Sequence, residues 1–189
     1  MTEIAVDRTV AVAERARRAP RSFDGAALLS GATLASGVFA YAYHVLAART
    51  LGPEAYGLVA VLWAALFLLV VVLFRPLEQT TSRALAHRLE RGHEVRSVLR
   101  AIFRIYLVVA AAIAVTGVAG WGALADQLFL GDGFFVASLV VGLAAYGVAY
   151  VLRGVCAGLG WFNGYALLLV ADGAARLAVV LPLVVVASR

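Results

Sequence analysis

Lysine is absent from this 189-residue chain, and all 16 of its basic residues are arginine. Cysteine occurs once, at Cys156, which excludes an internal disulfide framework. Charged residues make up only 14% of the chain, against about 25% in a soluble domain. That scarcity excludes an ordinary soluble enzyme domain, and it equally excludes a disordered chain, which is charge-rich and poor in apolar residues. The three histidines, His44, His87 and His93, lack the spacing of metal ligands. No nucleophile elbow, phosphate loop or dinucleotide fingerprint is spelled anywhere. The residues therefore call for no enzyme chemistry, no metal and no cofactor. The net charge of +5 does not call for nucleic acid either, because in a membrane chain a basic excess serves to orient the helices.

What the chain does have is apolar length. Hydrophobic residues reach 63%, and the mean hydropathy is +0.94. A membrane-crossing helix needs about 20 mostly apolar residues. Five runs meet that need, at residues 26–48, 57–74, 105–125, 134–152 and 165–187. They are too long, and too uniformly apolar, to be barrel strands. The expected fold is therefore all-α: a polytopic membrane unit of five helices over residues 25–189, preceded by a basic segment, residues 1–24.

The arginines give the unit a direction. Arg8, Arg15, Arg17, Arg18 and Arg21 lie in the head, and seven more follow the second run, from Arg75 to Arg104. Arg153, assigned to the turn after the fourth run, makes thirteen on one side; Arg49 and Arg189 face them alone. The positive-inside rule then places the N-terminus in the cytoplasm and the chain in the cytoplasmic membrane. In the head, Val6, Val10 and Ala13 form a weak apolar face suited to lying on anionic lipid headgroups. The stretch 83–100 reads as a basic helical connector broken at Gly92.

Polar residues inside apolar runs need a reason, since one charge at mid-helix costs roughly 2.5–3.5 kcal/mol. In the first run Ser30, Thr33, Gly37, Tyr41 and His44 share one stripe, and in the fourth so do Ser138, Gly142, Tyr146, Tyr150 and Arg153. Each stripe suits either helix packing or the wall of a polar cavity. Pro76 is expected to break the second helix, with Arg75 and Glu78, three apart, able to pair. The sharpest anomaly is Asp172 with Arg176 inside the fifth run. Their spacing of four puts acid before base on one face. They suit either a structural pair or a charged site facing water.

Four segments resemble one family. Ala48-Arg49-Thr50-Leu51-Gly52-Pro53-Glu54-Ala55-Tyr56-Gly57 resembles the signature turn of polysaccharide biosynthesis proteins. Arg75-Pro76-Leu77-Glu78-Gln79 with Ser82-Arg83-Ala84-Leu85-Ala86, Arg153-Gly154 with Gly158-Leu159-Gly160-Trp161-Phe162, and Asp172-Gly173-Ala174-Ala175-Arg176-Leu177 follow in that family's order. The family comprises the lipid-linked saccharide flippases of the multidrug/oligosaccharidyl-lipid/polysaccharide exporter superfamily. The resemblance implies most of one lobe of a two-lobe exporter that carries a lipid-diphosphate-linked saccharide between leaflets. It also implies that Arg49, Arg75, Arg153 and Arg176 meet the diphosphate, with Glu78 and Asp172 as their partners and His44 near the outer end of the cavity. Members of the family have more than twice as many spans. A longer polypeptide, a second lobe or a second chain is therefore implied. The lipid II branch carries a basic residue late in its first helix; Tyr43 and His44 stand there in this chain, which points to another polysaccharide. A drug or cation exporter of the same superfamily, or a membrane scaffold for synthesis enzymes, are the alternative expectations.

Overall fold

The computed structural model describes residues 22–187, with side chains from 25 to 178. The expected lipid-surface helix at Val6 to Ala13, most of the basic head and Arg189 lie outside the described residues. Every secondary-structure element described is helical: α1 (Ser22–Leu73), α2 (Arg75–Glu90), α3 (Arg96–Ala119), α4 (Trp121–Leu128), α5 (Gly133–Gly158) and α6 (Phe162–Ala187). Three helical stretches, Gly25–Glu90, Arg96–Ala119 and Gly133–Gly158, are long and apolar enough to cross a membrane. Their outer surfaces agree: Leu34, Val108, Val115, Val118 and Val141 are each between 68% and 71% exposed. Apolar surface on that scale suits lipid rather than water.

The two limbs of α1 fold back on each other. In a straight helix Tyr43 and Trp63 would stand roughly 30 Å apart at 1.5 Å per residue, yet their rings lie 6.5 Å from centroid to centroid. The reversal is made at Gly52, whose φ of 74° belongs to the left-handed region, followed by Pro53, which suits the start of a helix. The expected ten-residue turn over 48–57 is thus compressed into one residue, with helix on both sides.

The break expected at Pro76 is present but slight: α1 stops at Leu73 and α2 starts at Arg75, with Pro76 in its first turn, where its missing N–H costs little. Phe74 bridges the two, its N–H reaching Val70 O at 2.9 Å and its O accepting from Glu78 N at 2.9 Å. Two other expectations need correction. The third helix starts at Arg96, not near 105, and pauses at Gly120 before α4. Three exposed arginines, Arg96, Arg100 and Arg104, hid its first turns from a reading based on apolar runs. The fourth helix runs on to Gly158, so Arg153 belongs to α5 and not to a connector. The break expected at Gly92 is present, with φ 66°.

A dry core forms where the second limb of α1, α2, α3, α4 and α5 meet. Leu66, Val70, Phe74, Leu77, Ile102, Phe129, Val136 and Leu139 are buried together there. Glycines on α5 bring the backbones close. A Cβ on Gly147 would stand 2.6 Å from the Tyr106 ring, and one on Gly154 would stand 2.8 Å from Glu78 O. On the other side of α5, α6 lies along the first limb of α1, with Gly173 against Ser36 and Phe39. The functional candidates lie between these two packed regions.

Candidate functional site

The spacing of four between Asp172 and Arg176 does what α6 geometry requires: Arg176 Nη2 lies 2.5 Å from Asp172 Oδ2. The stripe on α5 supplies the opposite wall. Tyr146 donates its hydroxyl to Asp172 Oδ1 at 3.2 Å and accepts from Arg176 Nη2 at 2.5 Å. One and two turns further along α5, Tyr150 and Arg153 follow, the Arg153 guanidinium resting 5.1 Å above the Tyr150 ring. From α1 comes Trp63, whose ring carries the Arg176 guanidinium at 4.2 Å. Such a stack stabilises a cation that has little water around it.

These side chains line a cavity of about 300 Å³. The first limb of α1 contributes only small groups to it, Thr33, Ser36, Gly37 and Ala40, which leaves room opposite the charges. Leu66 and Val70 close it on the side of the dry core.

Two arginines share one carboxylate, so the cluster carries a net charge of +1. The sharing is unequal. Arg176 makes a short, charge-assisted contact to Asp172, whereas Arg153 Nη2 stays 3.6 Å from Asp172 Oδ2, close enough for Coulomb attraction but not for a hydrogen bond. Arg153 is only 5% exposed, and its Nε and Nη2 have no acceptor among the described residues; the same holds for Arg176 Nε. Buried guanidinium donors without acceptors are costly, and an oxyanion would relieve them. Chemically, the arrangement can receive an anion.

Of the seven residues expected from the sequence, the fold brings Arg153, Asp172 and Arg176 together. His44 sits one level away, its Nδ1 3.2 Å from the Tyr56 hydroxyl and its ring edge-on to Trp63 at 5.3 Å. A second hollow of about 210 Å³ beside the cluster is bounded by Tyr43, Trp63, Tyr146 and Arg176 and is not lined by His44. Glu78 lies toward the opposite end, in a hollow of about 320 Å³ with Gln79, Ser82 and Arg83, and accepts from the Tyr165 hydroxyl at 2.6 Å. The expected Arg75–Glu78 pair does not form, because Tyr165 takes the carboxylate and Arg75 turns to the exposed face. Arg49 is likewise exposed, and neither it nor Arg75 lines the cavity.

The first stripe is rotated from its expected face: Thr33 and Gly37 reach the cavity, but Tyr41 is 73% exposed. Sequence reasoning missed Trp63 altogether. The available signal was a lone tryptophan within an apolar run, where tryptophan otherwise favours the membrane–water interface. No family model matches the chain, and no curated protein or solved structure matches it either.

Proposed function

We propose that the chain is a transporter, or the N-terminal part of one, that moves a lipid-diphosphate-linked saccharide across the cytoplasmic membrane. The observation that carries this reading is the cationic excess beside the cavity: two buried or half-buried arginines to one acid, with three guanidinium nitrogens lacking acceptors among the described residues. Two of the helices that line it, α1 and α5, are of membrane-crossing length, which supports an anion held at bilayer depth. The four family-like segments point to the same substrate class. Orientation rests on the arginine bias. Twelve arginines remain on the cytoplasmic side once Arg153 is placed in the cavity, against Arg49 and Arg189.

The net positive charge disfavours the cation-exporting alternative, which would need acid in excess of base. Alternating access further requires helices to face the cavity's open side, contributed by the same polypeptide or by a second chain. The test is export in cells. Arg176→Ala in the full-length context, at normal protein level, should abolish delivery of surface polysaccharide and leave the lipid-linked precursor on the inner leaflet. Normal export from that variant would sink the reading.

A further inference from the structure

Arg176 and Arg153 both line the cavity, yet they are held very differently. Arg176 is fixed on three sides: Asp172 Oδ2 at 2.5 Å, the Tyr146 hydroxyl at 2.5 Å and the Trp63 ring at 4.2 Å. Arg153 has only the longer 3.6 Å approach to Asp172 and the face of Tyr150, and two of its nitrogens have no acceptor among the described residues. Asp172, for its part, is the one carboxylate of the cluster, and a Tyr146 hydrogen bond on Oδ1 turns its Oδ2 toward both cations.

We propose that Asp172 is a resident counter-ion occupying the place of the ligand, and that an incoming phosphoryl oxyanion displaces it from Arg153 while Arg176 stays clamped. This deepens the anion-cavity reading and rests on it. The asymmetry follows from the contacts. A phosphoryl group gains most from the cation that loses least by changing partner, and a guanidinium can meet two of its oxygens at once. Arg153 offers Nε and Nη2, two adjacent donors, without breaking any hydrogen bond. Arg176 would have to give up a short contact of its Nη2, to Asp172 or to Tyr146, to present two adjacent donors, because both forks of a guanidinium use that nitrogen. In this arrangement Arg153 contacts the ligand, while Arg176, Tyr146 and Trp63 are positioning residues for the carboxylate that competes with it. Asp172 thereby sets a threshold: only an anion that outcompetes a carboxylate already in place, such as a diphosphate, enters the site.

The test uses the whole chain purified in nanodiscs, with inorganic pyrophosphate as the probe and calorimetry as the readout. Asp172→Asn should tighten binding at least tenfold. Because that variant leaves two arginines without an acid and can fail to fold, two charge-balanced double variants carry the decision. Asp172→Asn with Arg176→Gln keeps Arg153 alone and should bind pyrophosphate more tightly than the wild type. Asp172→Asn with Arg153→Gln keeps Arg176 alone and should bind more weakly than the first double variant by tenfold or more. Equal binding by the two double variants overturns the assignment to Arg153. Wild-type-like affinity in both overturns the competition while leaving the anion-cavity reading intact. Absence of pyrophosphate binding in the wild type and in both folded double variants overturns the proposal together with the reading beneath it.

Discussion

The dry core and the charged cavity share a wall, yet they are built on opposite rules. On the core side of Leu66 and Val70, apolar side chains close around Phe74 and Phe129, both 0% exposed, and glycines on α5 let backbones touch. On the cavity side, the same two residues face guanidinium groups, a carboxylate, tyrosines and about 300 Å³ of open volume. The core gains by filling space. The cavity leaves space unfilled and donors unmet, and its polar contacts therefore hold it together only as a set. One side of the wall is held by packing and the other by charge.

The comparison can be broken first at Asp172. Asp172→Asn should cost about 3–5 kcal/mol in thermal unfolding, because it leaves two arginines without a counter-charge, and added anion should return part of the loss. Phe74→Ala, on the other side, should cost about 3 kcal/mol through the void it opens, with no recovery on adding anion. Recovery in both variants, or in neither, would erase the distinction. Gly158→Ala sharpens it further. The new methyl would stand 2.7 Å from Leu85 Cβ and 2.9 Å from Ser82 O, so a loss of about 1–3 kcal/mol is expected with anion affinity unchanged. Tyr165→Phe removes the donor to Glu78 and should cost about 1 kcal/mol. Arg49→Ala and Arg75→Ala, exposed and unattached to either region, should stay within about 0.5 kcal/mol of wild type, measured in the same melts.

Much of this was readable in the chain itself, and the misreadings have physical causes. The five apolar runs are helical almost throughout, the third interrupted at Gly120 and the second passing the end of α1 by one residue, and the Asp172–Arg176 pair was visible because both partners lie on one helix at a spacing that backbone geometry enforces. Arg153 was misplaced because a charge at the end of an apolar run looks like a boundary; only contact with α6 shows that the helix runs through it. Arg75, three residues before Glu78, was read as able to pair with it, but a tyrosine 87 residues away takes the carboxylate. Trp63 was invisible because its role depends on α1 doubling back at Gly52, and periodicity along a single helix carries no information about that partner. One local pairing, Asp172 with Arg176, was legible; pairings between helices were not.

The glycine contacts have a mechanical consequence. The second limb of α1 runs through Phe74 into α2, and α5 is seated on both through Gly142, Gly147, Gly154 and Gly158, so these three form one closely packed block. The first limb of α1 and α6 form a second block, seated through Gly25 on Phe162 and Gly173 on Phe39. Between the described residues of the blocks the chain passes at two points only, Gly52 with φ 74° and the turn at Gly160 with φ 68°, each a natural pivot. Across the gap run polar contacts, Arg153 to Asp172, Tyr146 to Asp172 and Arg176, and Glu78 to Tyr165, with Trp63 meeting Arg176 on one side and the Tyr43 and His44 rings on the other. The ion pair that the proposed anion exchange would open is thus also one of the ties between the two blocks, so on that proposal a change of partner at Arg153 would loosen their attachment.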